Sequence, residues 1–129
     1  MIKEAYCSEE VSILLKKKGF DECIFEFYEG DKIKYARNGK GFRLSELDSN
    51  IYYPHVTHQM AMAWLREEKN IFIVIEPHAY DYVNEKNKSY VCSLWVGDNY
   101  YENPELKSYP SYEEAVEAAL KYVLEKIIK

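Results

Sequence analysis

The stretch from Ile24 to Ala36 reads IFEFYEGDKIKYA, and its pattern decides the fold class. Side chains alternate along a strand, so Phe25 and Phe27 share one face while Glu26 and Tyr28 share the other. Lys32 to Ala36 alternates in the same manner. Between them, Glu29-Gly30-Asp31 reads as a tight turn, because glycine accepts the left-handed backbone that a hairpin connection needs. The expectation is an antiparallel hairpin of Ile24–Tyr28 against Lys32–Ala36.

Helices are legible on either side of it. Ser8 reads as a cap followed by Glu9 and Glu10, acids that suit the positive end of a helix. Val11, Leu14 and Leu15 form its apolar stripe, and Gly19 suits its stop. A second helix is expected from about Thr57, with Ala61, Trp64 and Leu65 facing inward and Asn70 ending it. The third opens on Ser111 and Glu114, a capping-box spacing, and keeps one apolar face through residues 111–128.

Further strands are expected at Ile71–Ile75 and Ser89–Val96, with Asn84–Lys88 as the intervening turn. The first is an unbroken apolar run, the pattern of a strand covered on both faces. The expected class is therefore α+β, in the order α-β-β-α-β-β-α, with an antiparallel sheet of about four strands packed against helices. One domain over residues 1–129 suits this length. Residues 8–36 and 57–96 read either as a pseudo-repeat or as two ordinary helix-to-strand connections. The stretches 37–55 and 98–110 read as long loops.

Composition narrows the function classes. Of 129 residues, 47% are apolar and 16% aromatic, enough for a core without disulfides or structural metal. Cys7, Cys23 and Cys92 form no Cys-x-x-Cys pair, and read as buried free thiols of a reducing compartment. The N-terminus shows no signal-peptide pattern, and no run approaches the ~18 apolar residues of a membrane span. A cytoplasmic protein without a membrane association is expected. The formal charge of −5 argues against broad nucleic-acid binding. A local basic set of Lys32, Lys34, Arg37, Lys40 and Arg43 is the exception, balanced by acids between Asp98 and Glu117. The two segments read as solvated faces or as partners across a homodimer.

No catalytic constellation emerges. His55, His58 and His78 are the weak alternative for a metal, through the His-x-x-His spacing of the first two, but no Cys pair or His-Glu-x-x-His pattern supports them. Cys7 precedes a helix cap, where a thiolate is favoured, yet nothing in the sequence brings a histidine to it. Gly39 and Gly41 lack the Gly-Lys-Ser/Thr ending of a phosphate loop. Nothing calls for a cofactor.

Aromatic clusters carry more. Tyr supplies thirteen of the aromatic residues, and a tyrosine pairs a large ring with a polar tip. Tyr52, Tyr53, Tyr80, Tyr82, Tyr100 and Tyr101 either meet in a contact surface or pack under the loops, and Trp95 points away from Cys92 and Leu94. The reading they favour is a non-enzymatic protein-interaction module binding another protein or itself. The alternative is a small metal-dependent or hydrolytic enzyme using the histidines.

Three segments carry a resemblance: Leu15–Phe20 (LKKKGF), His58–Ile71 (HQMAMAWLREEKNI) and Tyr109–Leu120 (YPSYEEAVEAAL). Together they resemble small uncharacterised proteins encoded by Bacteroides-type bacteria and their prophages or other mobile elements. The shared motifs are a helix stop, a Trp-bearing helix and a capped final helix. The resemblance implies a phage-related accessory role and brings no catalytic residues with it.

Overall fold

A computed structural model describes residues 3–36, 40–46, 51–78 and 89–129, with the side chain of His78 outside the description. Helix α1 spans Glu9–Lys17, and strands β1 (Glu26–Glu29) and β2 (Lys32–Tyr35) follow. After a short 3-10 turn at Leu44–Glu46 come β3 (Tyr52–Pro54), α2 (His58–Lys69), β4 (Ile71–His78), β5 (Ser89–Val96) and β6 (Asn99–Tyr101). Helix α3 (Tyr112–Tyr122) runs into a π-helical turn at Val123–Ile127.

The mixed helix and strand class and the antiparallel pairing are as expected. The expected sheet of about four strands is instead two sheets of three, ordered β2-β1-β3 and β4-β5-β6. The element order becomes α-β-β-β-α-β-β-β-α. Two strands of three residues account for the difference, since each is too short to show a period. Both lie in stretches that read as loops. Pro54 is tolerated in β3 because that strand lies at the sheet edge. Strand β6 is joined to β5 by Gly97-Asp98 alone, and Gly97 has a φ of +60°. A two-residue turn opening on glycine is a hairpin connection.

Two compact units divide the chain, Met1–Ala61 with Lys121–Lys129 and Met62–Leu120. In the first, Ser8 caps α1 through its Oγ, which accepts from the Val11 amide at 3.2 Å. Gly19 takes a φ of +99° past the helix end, where a side chain would be strained. The hairpin forms with Glu29 opposite Lys32 and Phe27 opposite Lys34. On the other side of β1, Phe27 faces Pro54 and Tyr28 faces Tyr53. Cys7, Val11, Leu15, Phe20, Ile24, Val56, Val123 and Leu124 are among its buried residues. Burying such side chains contributes roughly 1.5–3 kcal/mol each. Lys18 donates to the Ile128 carbonyl and Lys121 pairs with Glu10, tying the C-terminal turn to α1.

In the second unit β4 and β5 pair over their full length, Ile71 opposite Val96 through His78 opposite Ser89. Ile71, Cys92 and Leu94 are buried, as are Ala115, Val116, Ala119 and Leu120 of α3. Tyr90 of β5 meets Tyr112 of α3 edge to face at 6.2 Å. The cap expected for α3 is present, since Ser111 Oγ accepts from the Glu114 amide, and at the start of α2 Thr57 Oγ1 accepts from the Met60 amide. Asn70 ends α2 at a φ of +54° and accepts from Gly97 through its carbonyl. One expectation fails in this sheet. The Ile71–Ile75 run is not covered on both faces, because Phe72 is 41% exposed. Among the described residues, no helix is long and apolar enough to cross a membrane.

Candidate functional site

Alternation along β5 sends Leu94 inward and Trp95 outward, and the register carries the same division to its neighbours. Phe72 of β4 is directly opposite Trp95, and Trp95 is directly opposite Tyr100 of β6. Directly opposed residues share a face at close range, so the three rings form one row across the sheet. They are 41%, 43% and 46% exposed. Trp95 and Tyr100 touch, with ring centroids 4.8 Å apart. Scattered exposed apolar residues are ordinary, but three large rings in one row make a contiguous patch. Carboxylates border it. Asp98 and Glu102 are exposed two residues to either side of Tyr100, and Glu76 is exposed four residues along β4 from Phe72, on the same face. The Ser93 hydroxyl, on this same face, accepts from the Asn103 amide, and Ser93 is buried.

The expected tyrosines separate on this frame. Tyr100 belongs to the exposed row, whereas Tyr101 lies on the opposite face, across from Leu94. Tyr52 and Tyr53 are half-buried neighbours on β3 and also face opposite ways. Lys16 sits over the Tyr53 ring at 5.1 Å and donates to the Tyr52 carbonyl at 2.7 Å. Tyr80 and Tyr82 lie outside the described residues. Phe72 escapes a sequence reading because its apolar run looks buried on both sides. Trp95 was legible from alternation.

His55 and His58 are engaged separately, and the side chain of His78 lies outside the described residues. His55 Nδ1 and Glu26 Oε2 are 2.7 Å apart, and the imidazole side chain is only 9% exposed. The pair arises because the His55 amide donates to the Glu26 carbonyl, extending the β1–β3 register by one residue. Tyr6 stacks on the imidazole at 4.4 Å, and Tyr28 meets it edge-on at 4.9 Å. The negative charge of Glu26, followed by partial burial, pushes the Tyr6 hydroxyl above its ordinary pKa. A carboxylate that fixes one ring nitrogen is how imidazoles are oriented for ligation or proton transfer. His58 opens α2 instead, with its amide donating to the Ala5 carbonyl. The structure does bring a histidine to Cys7: the thiol sulfur and a ring nitrogen of His58 lie within 4.8 Å. Both side chains are buried.

The other thiols differ from each other. Burial, and then the charge of Glu105, push the Cys92 thiol up to about 12, leaving it neutral and unreactive. Cys23 is exposed, against the expectation of three buried thiols. Its apolar neighbours mislead because Ile24 turns inward while Cys23 and Phe25 turn out. Of the basic set, Lys32, Lys34, Lys40 and Arg43 are exposed and Arg37 lies outside the described residues.

No known protein family matches the chain, and no curated protein or solved structure matches it at a significant level.

Proposed function

We propose that this chain is a non-enzymatic protein-interaction module whose contact surface is the row Phe72–Trp95–Tyr100. The exposure of three cross-strand aromatic rings on one sheet face carries the reading. Tryptophan and tyrosine are the residues that dominate binding energy at protein contacts. The bordering carboxylates of Glu76, Asp98 and Glu102 favour a partner segment bearing Lys or Arg, whose cations also stack on aromatic faces. An accessory protein of a mobile element, acting in the cytosol by binding rather than by chemistry, fits this surface and the resemblance of its helices.

Selection of random displayed peptides on the full chain tests the reading. Peptides that pair Lys or Arg with an apolar residue should be enriched, and the enrichment should vanish on Trp95→Ala/Tyr100→Ala. Enrichment that persists on the folded double variant would move the contact elsewhere.

The enzymatic alternative rests on the Glu26–His55 pair. It requires stoichiometric zinc in the purified protein that is lost in His55→Ala/His58→Ala. Metal-free protein of full stability would remove the metal form of it.

A further inference from the structure

The first unit holds a pocket of about 380 Å³ lined by Phe27, Tyr35, Ala36, Lys40, Gly41, Phe42 and Tyr52. We propose that it binds a planar aromatic molecule carrying a negative charge, independently of the aromatic row in the second unit.

The walls come from four separate pieces of chain, with Phe27 on β1 and Tyr52 on β3. Phe27 stands on the face of β1 that it shares with Pro54 and, at the next pair, with Tyr52. Residues 40–42 run beside the segment leading into β1, held by reciprocal backbone bonds of 2.9 Å between Ile24 and Phe42. That approach is close. A Cβ built on Gly41 would clash with the Cys23 sulfur and lie 3.1 Å from the Ile24 carbonyl oxygen, so a larger residue there would have to push the Cys23 side chain aside. The Ala36 amide donates to the Phe25 carbonyl at 2.7 Å and fixes the fourth piece, after β2.

The rings are set in a definite arrangement. Phe27 meets Phe42 edge to face at 5.2 Å and Tyr52 edge to face at 5.3 Å, both at 80°. Mutual edge contacts of this kind hold aromatic walls in place without a ligand. The volume falls in the range of small-molecule sites, which pair apolar walls with few polar groups. Among the described lining residues, Lys40 alone has a charged side chain. Lys34, opposite Phe27 and on the same face, adds positive charge nearby. Aromatic walls alone would also take a cation, but a lysine in the lining reverses that preference. An aromatic carboxylate or sulfonate satisfies both the rings and the ammonium.

Two dyes that differ in charge provide the test: 1-anilinonaphthalene-8-sulfonate and its uncharged parent, N-phenyl-1-naphthylamine. Titrated into the full folded chain, the sulfonate should bind saturably at one site, several-fold tighter than the neutral dye. Lys40→Gln should weaken the sulfonate about threefold to tenfold and leave the neutral dye unchanged. Tyr35→Ala, at a side chain 70% exposed, should weaken both without unfolding the protein. Trp95→Ala/Tyr100→Ala should alter neither, which separates this site from the proposed contact surface. Absence of saturable binding overturns the proposal. So does sulfonate binding that ignores both Lys40→Gln and Tyr35→Ala, or that depends on Trp95 and Tyr100.

Discussion

The two sheets use the same kinds of residue for opposite ends. In β2-β1-β3 the rings of Phe27, Phe42 and Tyr52 pack edge to face around one another, half-buried. In β4-β5-β6 the rings of Phe72, Trp95 and Tyr100 stand side by side in the open. Connection length accounts for the contrast. Strands β5 and β6 are joined by a two-residue turn, which fixes register and lines up opposed side chains in one row. Between β2 and β3 the chain travels from Ala36 to Ile51, long enough to lay residues 40–46 back beside Ile24 and wall a pocket. A tight turn makes a surface, and a long connection makes a cavity.

The sharpest way to break that comparison is to probe the two faces of one strand. Leu94 is fully buried and Trp95 is not, though they are adjacent. Leu94→Ala should cost about 2–5 kcal/mol in urea denaturation, and Trp95→Ala less than about 1 kcal/mol. Equal losses would mean that the aromatic row supports the fold. In the first sheet, His55→Ala removes an imidazole held by Glu26 between two tyrosine rings. A loss of about 2–3 kcal/mol is expected there, with Tyr6 becoming more mobile in NMR spectra.

How much of this was legible in the sequence depended on range. Ser8, Thr57, Ser111, Gly19 and Asn70 act within a turn of their own positions, so the helix ends could be read locally. Phe72 was misread because five consecutive apolar residues conceal which face is open. The Glu26–His55 pair, 29 residues apart, and the Phe27 pocket depend on β3 finding its register against β1. Three residues of β3 carry too little pattern to announce that. Local chemistry shows in sequence; long-range register does not.

Two smaller effects sharpen the account. The Ser12 hydroxyl is buried without a hydrogen-bond partner among the described residues. Ser12→Ala should therefore raise stability by about 1 kcal/mol, read as a higher urea midpoint at unchanged slope. Asp21 accepts from the Ser45 hydroxyl at 2.6 Å and from the Ser45 amide at 3.0 Å. Those bonds, the hydroxyl's first, hold its carboxyl below the ordinary value of 3.8. A depressed carboxylate stabilises the fold above its unfolded pKa, and that contribution is lost as pH falls through the folded value. Asp21→Asn should flatten the acid limb of the stability profile below about pH 4 by a small amount, since the group is largely exposed.

The central claim is that the Phe72–Trp95–Tyr100 row binds a partner and does not hold the fold. Calorimetric titration of a selected Lys/Arg-bearing peptide into the wild type and into Trp95→Ala/Tyr100→Ala, with urea melts in parallel, tests it most directly. Binding should be lost while the melt moves by less than about 2 kcal/mol, the sum for two exposed positions. Binding that survives in the double variant, or a variant that unfolds, would contradict it.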